Sequence, residues 1–377
     1  MHRAAFSFFR HRIRMLWFRR LNLFAVVWCF CLVVVGAYVR LSDAGLGCPD
    51  WPGCYGHLTV PGAEHEIAAA EARYPDRPVE APKAWKEMVH RYLAETLGLF
   101  IVALALMSLF IKAARRPRVL PWLLVALVIF QGLLGMWTVT WQLKPLAVTG
   151  HLLGGMSTFA LLLWMWLSTR PRSEAAVAVT TRTREIRSER AAAFVIEREL
   201  VGAAGPAPLP VAPRGLRTFA LVALLVVAGQ IFLGGWTSTN YAALACPDLP
   251  TCHGSYLPPL DVKEAFTLWR GLGINYEYGV LDARARVTIH YFHRVGAVIV
   301  TTVLLALGLF LLRRGGAPLW RRLGAAVLGA LALQLTIGVC VVHFQLPLLL
   351  AAAHNLGAEL LLGTLVVLNF HAWRRPD

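Results

Sequence analysis

The sequence predicts an all-α membrane protein of eight transmembrane helices, built as two tandem parallel four-helix bundles. Composition is the first reason: 57% of the 377 residues are hydrophobic and 15% are charged, which is too apolar for an ordinary soluble domain. The second is that the apolar residues gather into runs of about 20, the length that crosses a bilayer. Helices are the spanning form that such unbroken runs allow. The third reason is an internal repeat, described below.

Eight apolar runs define the predicted spans. Their boundaries are 21–39, 90–112, 120–141, 147–168, 217–236, 291–312, 323–343 and 348–370. A polar outer loop at 55–86 has a short predicted helix at 64–73, and a linker of about 50 residues separates the fourth and fifth spans. We therefore divide the chain into an N-terminal bundle (1–168), a cytoplasmic linker that acts as a tether (169–216) and a C-terminal bundle (217–377).

The two bundles repeat one pattern. Three pairs of residues are each 203 positions apart, namely His90 and His293, Gln131 and Gln334, and His151 and His354. Because each repeat has four spans, both repeats keep the same orientation in the membrane. Parallel repeats are related by a pseudo-two-fold axis along the membrane normal.

The formal net charge of +16 raises the question of nucleic acid, but the distribution of the charge favours a membrane. With the N-terminus inside, most of the 37 Lys and Arg residues fall in predicted cytoplasmic segments. The basic residues therefore set the topology and attract anionic lipid, with both termini cytoplasmic. The first apolar run is long and lacks a small-residue cleavage pattern, so we do not read it as a secretory signal peptide.

Two short cysteine loops follow the first span of each repeat. Cys48 and Cys54 are separated by five residues that include two prolines and a glycine, and Cys246 and Cys252 repeat the arrangement. In an oxidising outer compartment a disulfide in each loop is sterically reasonable. A zinc site is the alternative, but His57 alone supplies too few further ligands. We favour the disulfides.

Four histidines near the outer ends of spans are candidate metal ligands. A lone histidine there is usually a solvated helix-end residue, but His90 and His151 are separated by the same 61 residues as His293 and His354. Both members of a pair can therefore stand at one depth and face each other. Opposed neutral imidazoles on facing helices are the ligand set of a six-coordinate haem iron.

Further residues near these histidines fit a flat ligand. Gly154 and Gly357 each follow a histidine by three residues, where a missing side chain admits either a macrocycle or a packed helix. Arg91 and Arg294 directly follow two of the histidines. Their guanidinium groups are candidates to pair with haem propionates, or they anchor the helix ends at the membrane surface.

The repeats differ at one position with chemical consequences. Glu87 lies three residues before His90, whereas His290 holds the corresponding position in the second half. A carboxylate there can relay protons or stabilise positive charge, so we assign chemistry to the first half and electron transfer to the second. Alternatively, Glu87 caps the first turn of the second span. Glu95 and Glu359 are lower-ranked candidates for proton relay.

These motifs together resemble one known family. The run from Gly45 to Cys54, the Glu87-x-x-His90-Arg91 segment, the stretch that starts Gln131-Gly-Leu-Leu-Gly135, and His151, His293 and His354 are similar to haem A synthase. The resemblance covers nearly all eight spans and is specific as an ordered set. This chain departs from the pattern in its long linker and in Leu249, which stands where the first loop has Trp51.

The resemblance implies an oxidoreductase that converts haem O to haem A by oxidising a porphyrin methyl group to a formyl group, for cytochrome oxidase. It implies His90 and His151 as axial ligands of the substrate haem, His293 and His354 as ligands of a haem b cofactor, and Glu87 as the catalytic acid. Location in a bacterial cytoplasmic (inner) membrane follows. Haem O synthase, cytochrome oxidase assembly factors and a second copy of the chain are expected partners.

Two other classes of function use some of the same features. A membrane diheme b-type cytochrome that only transfers electrons would need the four histidines but not Glu87. A repeat-built transporter would explain the parallel halves but not the four histidines in register. A visible spectrum separates the transporter from the haem proteins, and analysis of the extracted haem separates the cytochrome from the synthase.

Overall fold

The computed structural model describes residues 2–111, 117–170, 179–188, 191–200 and 211–374. Over these residues it contains ten α-helices and two β-strands. They are α1 (His2–Leu41), α2 (Glu64–Arg73), α3 (Ala81–Leu109), α4 (Leu120–Thr140), α5 (Pro145–Ser168), β1 (Val179–Ser188), β2 (Ala191–Leu200), α6 (Leu216–Thr239), α7 (Val262–Ala265), α8 (Ala283–Arg314), α9 (Pro318–His343) and α10 (Leu348–Trp373).

Eight of the described helices are long and apolar enough to cross a membrane, namely α1, α3, α4, α5, α6, α8, α9 and α10. This confirms the predicted all-α membrane class and the number of spans. Four helices begin five or more residues earlier than predicted: α1 at His2, α3 at Ala81, α8 at Ala283 and α9 at Pro318. Hydropathy locates the apolar part of a helix, but capping sets its first turn. Asp282 caps α8 by accepting a hydrogen bond from Ala285 N at 2.7 Å.

The helices pack as two rings of four. In the first ring α1 contacts α3 and α5, and α4 contacts the same two helices; in the second, α6 contacts α8 and α10, and α9 contacts the same two helices. Between the rings, α1 contacts α10, α5 contacts α6, and α5 contacts α10. A two-fold axis that exchanges the rings would exchange these contacts among themselves. The axis and the domain boundaries stay predictions.

One apolar cluster runs through both rings and holds them together. At the contact between α5 and α10, the Phe159 ring packs closely against Gly363. A Cβ added to this glycine would lie 3.3 Å from the ring. Several buried polar side chains in this region are paired: Asn369 Nδ2 donates to Ala220 O at 2.9 Å, and Thr149 and Thr239 hydroxyl oxygens lie 3.3 Å apart. Such pairing matters because lipid offers no hydrogen bonds to an unpaired group.

The linker contains regular structure that the sequence analysis does not predict. β1 pairs antiparallel with β2, from Val179 opposite Leu200 to Ser188 opposite Ala191. The tether therefore includes a two-stranded ribbon between α5 and α6. Its cytoplasmic location stays a prediction.

Arg40 joins the two rings of helices. Its guanidinium donates to Ser238 O at 3.0 Å and lies 4.3 Å from the centroid of the Tyr241 ring. A hydrogen bond from a charged group contributes about 1.5–3 kcal/mol, and a cation–π contact adds about 0.5–2 kcal/mol.

We expect Arg40→Ala to lower the thermal unfolding midpoint of the detergent-solubilised protein, because it removes both contacts. The midpoint of Arg40→Lys should lie between those of the wild type and Arg40→Ala, because lysine keeps the charge but lacks the planar guanidinium group. Scanning calorimetry or the loss of helical circular dichroism measures the midpoint. Equal midpoints for all three proteins would show that this contact does not hold the rings together.

Candidate functional site

Four histidine side chains form two pairs, and within each pair the imidazole rings face each other. One pair lies in each group of four helices. His90 on α3 and His151 on α5 have ring centroids 6.4 Å apart and planes inclined by 80°. His293 on α8 and His354 on α10 have centroids 6.5 Å apart and planes inclined by 82°. The structure therefore brings together each pair that the spacing predicts, with nearly the same geometry in both halves.

The separation of the rings fits an iron atom between them. Two metal–imidazole bonds of about 2 Å, with about 1.2 Å from each nitrogen to its ring centre, span about 6.4 Å. His90 Nδ1 and His354 Nδ1 are buried and have no hydrogen-bond partner among the described residues. In the same part of the chain, no group of three or more His, Cys, Asp or Glu side chains could hold a metal ion. Two imidazoles without further protein ligands suit a haem iron, whose other four ligands come from the porphyrin.

A glycine on a neighbouring helix lies against each histidine ring. The four contacts are Gly36 with His90, Gly135 with His151, Gly234 with His293, and Gly338 with His354. A Cβ on Gly338 would lie 2.9 Å from His354 Cε1, and one on Gly36 would lie 3.1 Å from His90 Cε1. A side chain at either position would displace the ring, so the glycines allow the rings to take their places.

Three of the four histidines also have a glutamine beside the ring. In the orientation that satisfies both ends of the amide, Gln131 Nε2 lies 2.8 Å from His151 Nδ1. Gln230 Nε2 lies 3.1 Å from His293 Nδ1, and Gln334 Nε2 lies 3.4 Å from His354 Nε2. The sequence analysis marks two of these glutamines as repeat positions and misses Gln230. The first-half residue at that position is a leucine, so the repeat does not reveal it.

Gly154 and Gly357 each lie against the side-chain amide of a glutamine from a neighbouring helix. A Cβ on Gly154 would overlap the Gln131 amide, and a Cβ on Gly357 would overlap the Gln334 amide. The glycines thus admit a glutamine side chain on its way to the histidine, rather than a macrocycle or the backbone of another helix. Gly296 admits Gln230 in the same manner, and the sequence analysis misses it as well.

Both cysteine loops are closed by disulfides, as predicted. The Cα atoms are 4.8 Å apart between Cys48 and Cys54 and 4.7 Å apart between Cys246 and Cys252. The zinc alternative fails because the sulfur atoms are bonded to each other. His57 contributes its backbone, which accepts a hydrogen bond from Cys54 N at 2.8 Å.

An arginine from the following helix holds each loop. Arg91 donates to the carbonyl oxygens of Pro52, Gly53 and Asp50 at 3.1, 2.6 and 3.0 Å. Arg294 donates to those of Asp248, Thr251 and Cys246 at 2.7, 2.8 and 2.6 Å. The guanidinium groups are therefore engaged with the loops, and the predicted role in binding haem propionates stays a prediction.

Glu87 and His290 link the loop to this arginine. Glu87 accepts from Cys48 N at 2.9 Å with one carboxylate oxygen and from Arg91 Nη2 at 2.5 Å with the other. His290 Nδ1 lies 3.1 Å from Cys246 N, and its Nε2 lies 3.2 Å from Arg294 Nε. A neutral imidazole has one acceptor nitrogen, so it satisfies one of the two donors at a time, whereas the carboxylate satisfies both.

The alternative that Glu87 caps the first turn of its helix is wrong. α3 begins at Ala81, so Glu87 lies in the second turn, and its carboxylate bonds to the loop instead of to the free N–H groups of the helix. Glu87 is 5% exposed, and its side chain points toward the loop that covers this end of the bundle.

An aspartate closes the turn at the end of each loop. Asp50 accepts from Tyr55 N and Gly56 N at 2.6 and 2.7 Å. Asp248 accepts from the Thr251 hydroxyl and from the two corresponding backbone N–H groups, and these bonds hold the pKa of the Asp248 carboxyl below its usual range. A depressed pKa means that these bonds support the loop above the ordinary pKa of aspartate and are lost as the pH falls through the lowered value.

The other acidic candidates occupy contrasting places. Glu95 is exposed on the outer surface of α3, away from the buried face of the bundle. Glu359 on α10 is fully buried, and within the described ranges neither of its oxygens has a hydrogen-bond partner. Trp51 and Leu249, where the two loops differ, are each 43% exposed, so this difference does not alter the loop interior.

Comparison with known proteins gives a consistent result. The family described as cytochrome oxidase assembly protein matches residues 19–366. A haem A synthase of Shewanella oneidensis is 43% identical over 365 residues, which cover 97% of this chain and 98% of that protein. Haem A synthases of Caulobacter vibrioides and Sinorhizobium fredii are 28% and 25% identical, over 92% and 89% of this chain and 92% and 84% of their own lengths.

We expect Arg91→Lys to make the Cys48–Cys54 disulfide easier to reduce, because an ammonium cannot bond to three loop carbonyls and Glu87 in the same geometry. Mass spectrometry after timed exposure to a thiol reductant and alkylation gives the rate of reduction. Arg118→Lys, before α4, is the matched control. An unchanged rate in Arg91→Lys would mean that the arginine does not protect the loop.

Proposed function

The chain belongs to the family of cytochrome oxidase assembly proteins and carries out a haem A synthase reaction, and from this premise we propose which of its residues perform that reaction. Haem A synthase is an oxidoreductase that acts on haem O and provides haem A for cytochrome oxidase. Its reaction oxidises a porphyrin methyl group to a formyl group, which removes two pairs of electrons and adds one oxygen atom. The enzyme must therefore hold one haem as substrate and pass electrons away from it.

The observation that carries the proposal is the presence of two opposed histidine pairs with nearly equal separations. We assign His90 and His151 to the iron of haem O. His293 and His354 are assigned to a resident haem b, which supplies one-electron transfer when it is bound. The four histidines are partly buried among apolar helices, and low-dielectric surroundings strengthen the electrostatic interactions of nearby groups.

Glu87 supports placing the substrate in the first half. It lies one turn before His90 on the same face of α3, and the second half has an imidazole at that position. A buried carboxylate can stabilise positive charge that develops at the methyl carbon, or it can accept a proton as the hydroxyl group forms. We propose that Glu87 does so through Oε1, the oxygen that also accepts from Arg91, while Oε2 keeps the bond to Cys48 N.

The remaining chemistry of the site is positioning. The glycines beside the rings allow each imidazole to face its partner, and the disulfide loop covers the outer end of the bundle near Glu87. Arg91 holds that loop in place. These residues fix the substrate iron and the carboxylate relative to each other, which is the main requirement for an oxidation at one methyl group among several.

The chain is a multi-pass membrane protein. We propose that it lies in a bacterial cytoplasmic membrane with both termini cytoplasmic, because this orientation places most of its Lys and Arg residues inside. We propose haem O synthase as a partner. Haem O is poorly soluble in water, so direct transfer from the enzyme that makes it would avoid its release into water.

We expect His293→Ala and His354→Ala each to abolish tight binding of haem b, because iron is left with one strong axial ligand. The purified variants should lose the low-spin b-type spectrum, while His343→Ala, on the exposed end of α9, should keep it. A full low-spin spectrum in either site variant would refute the assignment of the second half.

The role of Glu87 is tested by three substitutions. We expect Glu87→Gln and Glu87→Ala to lower haem A formation by about 10²–10³-fold, because an amide or a methyl group replaces little of the stabilisation that a carboxylate gives. Glu87→His copies the second half and so keeps one of the two loop bonds while removing the carboxylate. It should be comparably inactive.

Haems extracted from cells that also make haem O give the yield, and the spectrum of the second-half haem gives the matched control for folding. Haem O or a hydroxylated intermediate should accumulate. Normal haem A yield from a correctly folded Glu87→His would show that the residue serves only to hold the loop.

A further inference from the structure

Three histidines of the two sites share one supporting arrangement. Each has a glycine three residues later on its own helix and a glutamine from a neighbouring helix that passes over this glycine to the ring. The sets are His151 with Gly154 and Gln131, His293 with Gly296 and Gln230, and His354 with Gly357 and Gln334. In each set the glycine is required, because a Cβ would overlap the glutamine amide.

The fourth histidine, His90, lacks this arrangement. The glycine contacts of the rings set the register: Gly36 lies against His90 as Gly234 lies against His293. Four residues before Gly36 stands Leu32, where the second half has Gln230. Three residues after His90 stands Leu93, where the other three sets have glycine. Both members of the pair are thus replaced together by leucine.

The buried atoms of His90 reflect this replacement. Leu32 is 8% exposed and Leu93 is half-buried, and both belong to or pack against the apolar core. His90 Nδ1 is buried and, like His354 Nδ1, has no hydrogen-bond partner among the described residues. His354 has a glutamine beside its other nitrogen, Nε2, whereas no glutamine of the described part of the chain bonds to either nitrogen of His90. His90 is held by packing against Gly36 and by its helix, without the amide that supports the other three rings.

The supporting amide has a known kind of effect on a metal ligand. An amide offers both a donor and an acceptor, so it can pair with either tautomer of an imidazole. When the amide presents its oxygen to the ring N–H, it orients the ring and raises its basicity, and the loss of such a partner typically weakens metal binding by about 10–100-fold. Of the four ligands, His90 is therefore the one expected to bind iron most weakly.

We propose that His90 is the exchangeable ligand of the substrate site, that is, the ligand that iron loses first when haem leaves. Leu32 and Leu93 are the residues that make it so. This rests on the proposed assignment of haem O to His90 and His151. A substrate must enter and its product must leave, whereas the haem b of the second half must stay. Release would begin with the bond between iron and the His90 imidazole, whose nitrogen would keep the electron pair. The iron would then be held by His151 alone, and breaking that second bond would free the haem.

The direct test installs the missing arrangement. In Leu32→Gln/Leu93→Gly the first half copies the second, and we expect haem O to leave about 10–100-fold more slowly than from the control Leu32→Met/Leu93→Gly. The control has the same glycine and a side chain of similar length without an amide. Purified protein loaded with haem O is mixed with excess apomyoglobin, and the rate of haem transfer is followed by absorbance.

Equal release rates for the double variant and its control would overturn the proposal. The haem b of the second half gives an internal reference, because its retention should not change in either protein. A general loosening of the fold would release both haems faster, which is the opposite of the expected result.

The converse variant tests the same proposal when the double variant does not fold. Gln230→Met removes the amide beside His293, and we expect haem b, which the wild-type protein retains, to pass to apomyoglobin about 10–100-fold faster. The reduction potential of the haem should shift as well, because the basicity of the ligand changes. Unchanged release and unchanged potential would remove the physical basis of the proposal and overturn it.

A separate measurement distinguishes this failure from failure of the proposed function. His151→Ala should abolish loading of haem O into the first half. If haem O still binds there as in the wild type, the assignment of the histidine pair is wrong. If His151→Ala prevents loading but the Leu32 variants release haem O at equal rates, the assignment stands and the exchangeable-ligand proposal is wrong.

Discussion

The separation between opposed imidazoles is the constraint on which the rest of the structure depends. Ring centroids about 6.4 Å apart can share one iron atom, and this distance must be held by helices that cross a membrane. Packing of the helices in groups of four holds this distance. In each group two helices carry the histidines, and the other two lie against the imidazole rings. Gly36 and Gly338 show how tight this packing is, since a Cβ at either position would push a ring out of place.

The cysteine loops provide a second set of constraints on the same histidines. Each disulfide loop is fastened to the helix that carries a candidate iron ligand, through Arg91 or Arg294 and through the residue one turn before that ligand. Glu87 and His290 occupy this linking position with the same pair of neighbours. The two halves can therefore differ in chemistry at this point without a difference in backbone structure, which explains how a repeated bundle can acquire two tasks.

A second asymmetry follows the same principle. Leu32 stands in the first half where the second has a glutamine, and Leu93 where the second has a glycine, and the two histidine pairs still have nearly equal separations. The proposed division of work thus rests on two small departures from the repeat. One provides a carboxylate near the substrate, and the other leaves one of its ligands without a hydrogen-bonded support. Both are found in the half to which we assign haem O.

The sequence by itself determined the membrane class, the eight spans, both disulfides and the pairing of the four histidines. These features follow from distance along the chain: a run of about 20 apolar residues has one use in a bilayer, and equal spacings in two repeats imply equal depths. The tertiary structure alone decided where the side chains between helices meet. It placed Arg91 on loop carbonyls and Gln131 over Gly154, and it showed that α3 begins at Ala81. Such contacts depend on how helices rotate and approach one another, and no periodicity within a single helix contains that information.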